Sequence, residues 1–463
     1  MISMLVLYFL LLAAIITAVM IRDAFSGAEE LISLRNFFLV GMLIFQVTSA
    51  SYLLATDYWG EFYPSDLPSA AAAYAMKLTI FIVIFFGASK AVTGIIDRFF
   101  ARRQRPPLKI APYNTMLIAI ATIPVGLLCQ FVFRYIPIIG PGMGYLAFGL
   151  YAVGAGLATW TVAPRLYNPA YLIGAAAVIL MGMALTFYEN FGRRDLLGIV
   201  VAIVWAAYYC RWRSMPVQQL IVRLGILSAA GVALLFAVTS VRSPEFRGRG
   251  IVENVIALKD AKLSDGLGDV LSGQAAPIAS MWLIESRPNS KEYDTLHSAR
   301  MALLMPIPRR VWPEKPTALA LTMPQQEVHI PQRPDNYNIG PGLIGHIEND
   351  NPWIALWLYP IALGVIMRIC DRTTAWYADN PFVVLPIGAA VGQFIGMPRG
   401  ELGSFFFIGM INIVGAFVIM QTLSIALRTL GLIKESPEEY DDAEAYGDLE
   451  YGPDDIQPEQ PQS

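Results

Sequence analysis

The sequence predicts an all-α, polytopic helical membrane protein with about 11 transmembrane helices and one large external loop. Of its 463 residues 56% are hydrophobic and 15% are charged, and the mean hydropathy is +0.51. This composition is too apolar for a soluble enzyme. Apolar runs of about 20 residues, each long enough to cross a hydrocarbon core of roughly 30 Å, recur along the chain. Lipid forces every backbone group into internal hydrogen bonds, so such runs are expected to be helices.

The apolar runs and one long hydrophilic interval divide the chain into four parts. Residues 1–241 form a membrane domain of eight spans, 242–351 the loop, 352–428 a second membrane domain of three spans, and 429–463 a tail. The predicted spans are 2–21, 36–55, 70–96, 113–133, 141–163, 170–188, 196–210, 218–241, 352–367, 381–397 and 402–427.

Basic residues orient these spans, because short cytoplasmic loops carry an excess of Lys and Arg. The interval 98–109 holds five of them. Alternation from there places fifteen Lys and Arg residues of the short connections in the cytoplasm and four outside. The 110-residue loop is then external, or periplasmic in a bacterium. The tail lies inside; from Glu435 it carries eleven acidic residues and no basic one, a composition typical of disorder.

Proline dominates the second half of the loop. Nine prolines fall from Pro306 to Pro352, so no ordinary long helix fits there, because an interior proline removes a backbone donor. The first half has helical character, since Ile251, Val255, Ile256 and Leu258 recur at helix-like spacing, as do Ile278, Trp282 and Leu283.

Four outer arginines are the candidate phosphate-binding residues. Guanidinium groups offer fixed, bidentate donors that match phosphate oxygens. A lipid-linked pyrophosphate at the outer leaflet needs such a clamp. The alternative is that some of them pair with Glu314 or Glu401, or contact lipid headgroups. The four are Arg300, Arg309 and Arg310 in the loop and Arg399 after span ten.

Glu348 and His346, just before span nine, are the candidate catalytic residues. Moving a sugar between oxygens requires a base that accepts the proton of the acceptor hydroxyl, and a carboxylate or an imidazole can do this. The alternative is a capped helix start, because Asp350 and Asn351 precede Pro352. Both interpretations are compatible, with Asp350 or Asn351 as the cap.

No metal and no cofactor are expected. All three histidines, His297, His329 and His346, lie in the loop, and their spacing is not that of a metal site. In the functional interpretation one of these histidines acts as a base or binds the acceptor. In the structural interpretation they are surface residues.

Lys77 stands inside span three, where an ionisable residue is costly. It indicates a cavity or an ion pair, or else a side chain that snorkels to the outer interface. The glycines of span five, Gly149, Gly154 and Gly156, indicate close helix packing rather than a nucleotide loop.

At Pro306-Ile-Pro-Arg-Arg-Val-Trp-Pro-Glu-Lys-Pro316 the chain resembles the Wzy-type oligosaccharide repeat-unit polymerases of O-antigen and exopolysaccharide synthesis. Their signature of Ile-Pro-Arg, an aromatic residue, Pro and Lys-Pro lies in a large periplasmic loop. An acidic, glycine-containing patch before the next span is matched by 340–350, and a weaker element by Arg399-Gly400. The chain departs from the family at 293–297 and at 349–352.

The resemblance implies a metal-independent glycosyltransferase of the bacterial inner membrane. It would transfer a growing glycan from undecaprenyl pyrophosphate to a lipid-linked oligosaccharide repeat unit at the outer face. Its partners would be that lipid-linked oligosaccharide, membrane lipid and a chain-length regulator or flippase, with no nucleic acid. The alternatives are an O-antigen ligase, a transporter or flippase for lipid-linked sugar, and a scaffold protein of polysaccharide export.

Overall fold

The computed structural model describes residues 1–57, 62–102, 111–137, 139–190, 193–227, 275–309, 311–327 and 338–433, which form helices without β-strands. The chain is an all-α polytopic membrane protein, as predicted. Within these ranges nine helices are long and apolar enough to cross a membrane, and two shorter ones lie at predicted spans eight and ten. The helices are α1 (Ile2–Phe25), α2 (Leu34–Thr56), α3 (Leu67–Ala101), α4 (Pro112–Phe131), α5 (Gly140–Val162), α6 (Pro169–Asn190), α7 (Arg194–Trp212), α8 (Val217–Leu227), α9 (Ala276–Ser286), α10 (His297–Leu304), α11 (Gly342–Asn349), α12 (Pro352–Trp376), α13 (Pro381–Gly396) and α14 (Leu402–Thr429).

Several predictions lie outside the described residues. They are the second part of span eight (228–241), the helical spacing from Ile251 to Leu258, Arg310, His329 and the acidic tail from Glu435.

Helices α5 and α13 form the centre of the bundle. Most of α5 is buried, and it packs against α4, α6, α7 and α13. Its glycines permit these contacts: a Cβ added to Gly154 would lie 2.3 Å from Thr122 Oγ1, and one added to Gly156 2.8 Å from a methyl group of Leu385. The predicted role of these glycines in close packing is confirmed.

Helix α13 is short for a central helix. It has 16 residues, with Pro381 in its first turn and the Asn380 side chain accepting a hydrogen bond from the Phe382 N–H at 3.0 Å. At 1.5 Å per residue it rises about 24 Å. A tight connection containing Pro398 leads from its end into α14.

Two helices of the loop, α9 and α11, lie inside the bundle. They pack against each other and against α3. All eight residues of α11 are buried, and so are seven of the eleven residues of α9. Glu285, near the end of α9, accepts hydrogen bonds from the backbone N–H groups of Ser65 at 2.8 Å and Asp66 at 2.7 Å, which places this end of α9 beside the start of α3. The helix predicted from Ile278 and its neighbours is thus observed.

The proline-rich part of the loop has little regular structure. Between α10 and α11 the described residues contain one short helical stretch, which begins at Leu319 and ends at Glu327. The prediction that no long helix fits among these prolines is confirmed for the described residues. Backbone hydrogen bonds of single turns, such as that from the Trp312 N–H to the Pro308 carbonyl at 3.1 Å, occur in this part of the loop.

Candidate functional site

An ion pair joins the loop to the transmembrane bundle. Lys77 of α3 donates a hydrogen bond to the Glu348 carboxylate of α11. The side chain of Glu348 is 2% exposed and that of Lys77 15% exposed. Lys77 lies ten residues after Leu67, about 15 Å along α3 from its first residue. Of the interpretations of Lys77, the ion pair is confirmed.

Two further side chains surround Glu348. Arg287, directly after α9, is buried, and its Nη2 donates to Asn349 Oδ1 at 3.2 Å. Its positive charge acts on the Glu348 carboxylate. Tyr293 is partly buried nearby: its pKa is raised first by burial and then by the negative charge of Glu348. Lys77, Arg287, Tyr293 and Glu348 are called the carboxylate cluster below.

The pKa of Glu348 results from opposed effects. Burial raises it, the charge and hydrogen bond of Lys77 lower it, and the charge of Arg287 lowers it further; the net shift is upward. A carboxyl group with a raised pKa accepts and returns protons closer to neutral pH than an exposed one. The cluster therefore combines an acid–base group with two cations.

The first turn of α11 fixes this arrangement. Gly342 has a φ of +71°, and a Cβ there would lie 2.5 Å from the side-chain nitrogen of Gln46 on α2. The Leu343 N–H donates to the Pro398 carbonyl at 2.9 Å, and the Gln46 side-chain amide donates to the same carbonyl. Glycine at 342 thus lets α11 approach both α2 and the connection between α13 and α14.

His346, the second candidate catalytic residue, points to a different face of α11 from Glu348, because residues two apart on a helix do not share a face. It is fully buried; Nδ1 is 2.8 Å from Ser298 Oγ, and Nε2 accepts the Leu402 N–H at 3.2 Å. Burial lowers the pKa of His346 to about 4, so its imidazole is neutral at pH 7. Its described contacts join α10, α11 and α14.

Glu401 is a buried carboxyl group beside His346, just before α14. Its Oε2 accepts the Ala320 N–H at 2.9 Å and lies 3.7 Å from His346 Nε2. Burial, the largest effect, raises the pKa of Glu401 to about 7. Glu401 was expected only as an arginine partner, and this proton-binding environment was not predicted.

Asp350 is a buried structural acceptor. It receives hydrogen bonds from the Ser298 N–H at 2.7 Å, from the Tyr359 hydroxyl and from the Asn349 amide at 3.2 Å. Asn351 caps α12, because its Oδ1 accepts the Trp353 N–H at 3.2 Å. The predicted capped helix start is confirmed with Asn351 as the cap, while Asp350 fastens α10 to α11 and α12.

Arg309 contacts its own loop. Its guanidinium donates to the Lys315 carbonyl at 3.0 Å, to Thr317 Oγ1 at 3.0 Å and, at 3.4 Å, to two further carbonyls. The Lys315 ammonium in turn donates to the carbonyls of Met305 at 2.8 Å and Ile307 at 2.9 Å. In the described part of the loop, these two cations close the proline-rich turn on itself.

The other candidate arginines have different neighbours. Arg300 is half exposed and pairs with Asp294, which is also half exposed. Arg399 is partly buried, with its guanidinium carbon 5.6 Å from the centre of the Phe45 ring. The described contacts do not join Arg300, Arg309 and Arg399 to one another. Arg310 and His329 lie outside the described residues, so the clamp stays a prediction.

Of the histidines, His297 and His346 are buried, so for these two the interpretation as surface residues is wrong. His297 lies 2.7 Å from Asp294 Oδ2 and 2.9 Å from the Thr317 carbonyl.

Arg287 and Tyr293 are the residues of the cluster that sequence reasoning missed, and only Arg287 has a signal in the sequence. Its signal is its position directly after the apolar run of α9, because a cation is favoured at the C-terminal end of a helix. Lys77 was recognised as costly, but its partner was not.

No family model, no curated protein and no solved structure matches this chain. What the geometry itself shows is a multi-pass helical membrane protein with a buried carboxylate, two cations and a phenol gathered where its loop enters the bundle.

Proposed function

We propose that this protein is an oligosaccharide repeat-unit polymerase. It transfers a growing glycan from undecaprenyl pyrophosphate to a lipid-linked repeat unit at the outer face of the bacterial inner membrane. The resemblance of 306–316 to such polymerases supports the reaction class. The observation that carries the proposal is the burial of Glu348 between Lys77 and Arg287.

Glu348 acts as the base. The acceptor hydroxyl oxygen attacks the anomeric carbon of the donor, its proton passes to the Glu348 carboxylate, and the bond between that carbon and the pyrophosphate oxygen breaks. The pyrophosphate leaves with the bonding electrons and needs cations nearby. A raised pKa suits Glu348 to this proton transfer.

The ion pair couples the two events. Once Glu348 is protonated it is neutral, and the charge of Lys77 is no longer balanced by it. Lys77 and Arg287 then stabilise the negative charge that develops on the leaving pyrophosphate. Transfer of the acceptor's proton to Glu348 thereby makes the charges of Lys77 and Arg287 available to the leaving pyrophosphate.

The outer arginines capture the substrate in this proposal. Exposed ion pairs such as that of Arg300 with Asp294 contribute only about 0–1 kcal/mol, so a pyrophosphate can displace the carboxylate. The further members are Arg309 in the proline-rich turn, Arg310 as the next residue in the sequence, and Arg399 beside α14. His346, buried and neutral, positions α11 rather than reacting.

The test is Glu348→Gln in cells that make the polysaccharide. The amide keeps the shape but accepts no proton, so we expect single repeat units and a loss of longer chains at normal protein level. Glu292→Gln, an exposed carboxylate of the same loop, is the matched control and should leave the ladder of chain lengths unchanged. An unchanged ladder in Glu348→Gln would overturn the assignment of the base.

A second experiment separates the alternatives. Purified protein in vesicles receives lipid-linked single repeat units as both donor and acceptor. Longer lipid-linked chains are expected of a polymerase. A ligase would act only when lipid A is added, and a flippase would move the substrate across the bilayer without lengthening it.

A further inference from the structure

A large groove lies between α1 and α3, separate from the carboxylate cluster. Its volume is about 1070 Å³. Leu11, Ile15 and Val83 form its rim and are exposed, whereas Ile16 and Ile82 form its floor and are buried. An apolar groove open on the outside of a membrane bundle faces hydrocarbon, so an acyl chain fits it better than water does.

One end of the groove is cationic. Its lining includes five basic residues and only two acidic ones, Asp23 and Glu29. These two carboxylates pair with the buried Arg35, and Glu29 also with Arg368. The five basic residues are Arg22, Arg35, Lys90, Arg368 and Arg372.

Lys90 and Arg372 supply charge that a ligand can reach. Lys90 is exposed and forms no ion pair among the described residues. Arg372 pairs with Asp97, whose side chain is 48% exposed, so this contact is open to competition. The cationic end therefore keeps an excess of positive charge beside the apolar groove.

Helix α3 leaves room for a chain along the groove. A Cβ added to Gly87 or to Gly94, both of which line the groove, would meet no atom within 4 Å. At the end away from the cations, the Tyr8 hydroxyl and Thr79 Oγ1 are hydrogen-bonded and join α1 to α3. The space is thus bounded by a polar contact at one end and by cations at the other.

We propose that this groove binds an anionic phospholipid, with an acyl chain between α1 and α3 and its phosphate at Lys90 and Arg372. A zwitterionic lipid would bring its own cation to these residues, and a soluble phosphate would leave the apolar walls uncovered. By the predicted orientation the site lies in the cytoplasmic leaflet, on the opposite side from the carboxylate cluster. It does not depend on the proposed polymerase reaction.

The experiment measures lipid retention by the purified full-length protein in detergent, by native mass spectrometry, with phosphatidylglycerol and phosphatidylcholine added in equal amounts. We expect preferential retention of phosphatidylglycerol. Lys90→Gln should weaken the binding of phosphatidylglycerol about five-fold, because one cation near a membrane surface contributes about 1 kcal/mol to the binding of an anionic lipid. Arg211→Gln, an exposed basic residue outside the groove that contacts the Ala163 carbonyl, is the charge-matched control and should change nothing.

Gly87→Leu tests the chain-binding part. The added side chain fills open space, so the protein should fold, while the groove becomes too narrow for a chain and retention of phosphatidylglycerol falls. Gly225→Leu, on α8 with equally open surroundings, is the size-matched control. Equal retention of the two lipids, or an unchanged preference in both Lys90→Gln and Gly87→Leu, would overturn the proposal.

Two competitors distinguish the source of the phosphate. Glycerol 1-phosphate, a headgroup without chains, should not displace phosphatidylglycerol, and displacement would overturn the role of the groove. A polyprenyl monophosphate that binds where phosphatidylglycerol does not would overturn the assignment to a phospholipid.

Discussion

Lys77 and Glu348 lie 271 positions apart in the sequence, yet they form one ion pair between α3 and α11. Both side chains are largely withdrawn from solvent. Removing either partner takes the ion-pair partner from a largely buried charge, which destabilises a protein far more than replacing both. The pair therefore holds part of the loop within the membrane domain.

Lys77→Met should lower the free energy of unfolding by about 3 kcal/mol, because it leaves Glu348 unpaired. Glu348→Gln should also destabilise, since Lys77 then lacks a carboxylate. The double variant is expected to lose clearly less than the sum of the two. Thermal unfolding of the purified protein, followed by tryptophan fluorescence, measures all three; additive losses would show that the two groups do not interact.

The pH dependence of stability should reveal Glu401. Burial raises its pKa from the ordinary 4.5 to about 7, so the folded state holds this proton more tightly than the unfolded state. The resulting stabilisation is fully present below pH 4.5 and is lost as the pH rises to 7. Glu401→Gln mimics the protonated form and does not titrate. Relative to the unsubstituted protein it should gain roughly 3 kcal/mol over this window.

The measurement is the difference in unfolding temperature between the two proteins from pH 5 to pH 8. The pKa of His346 is lowered from 6.5 to about 4, so the protein also loses stability as the pH falls below 6.5. Because His346 is present in both proteins, this loss cancels in the comparison. A difference that stays constant with pH would contradict the raised pKa of Glu401.

Gly342→Ala should destabilise the protein by about 1–3 kcal/mol, because a left-handed backbone conformation strains an L side chain and the new Cβ meets the Gln46 amide. Gly225→Ala is the control, since its Cβ would meet no atom and alanine favours a helix. Unfolding temperatures of the two variants check this. Equal stability of both would mean that α11 is not held against α2 in this way.

Arg309→Ala should loosen the proline-rich turn. It removes hydrogen bonds to Thr317 and to the Lys315 carbonyl, each worth about 1 kcal/mol. Amide hydrogen exchange between residues 305 and 317 should become about ten-fold faster. Arg300→Ala, which removes only a half-exposed pair, should leave exchange in this segment unchanged. Similar exchange in the two variants would show that Arg309 does not close the turn.

Local patterns predicted much of this architecture. The spacing of Ile278, Trp282 and Leu283 predicted α9, because the period of a helix shows in residues three and four positions apart. Asn351 before Pro352 indicated the start of α12, because a helix cap is also formed by neighbouring residues. Composition and run length predicted the spans. Each of these signals acts within a few turns of chain.

The site depends on contacts that no local pattern contains. The cost of Lys77 within α3 indicated a cavity, an ion pair or a snorkelling side chain. That it pairs with Glu348 is decided by how α11 enters the bundle. The sequence spacing of His346 and Glu348 suggested one catalytic pair, whereas the turn of the helix points them in different directions. Arg287 carried too weak a signal to be singled out.

The length of α13 limits how far apart its two ends can lie across a bilayer. A rise of about 24 Å falls some 6 Å short of a bilayer's hydrocarbon core, and neighbouring helices rather than lipid surround α13. At least one of its termini must therefore sit below the headgroup plane. If that terminus is the one next to Pro398, the surface beside α11 is a recess, and in the proposed reaction the lipid-linked sugar would reach Glu348 from the side, with its isoprenoid tail still in the membrane.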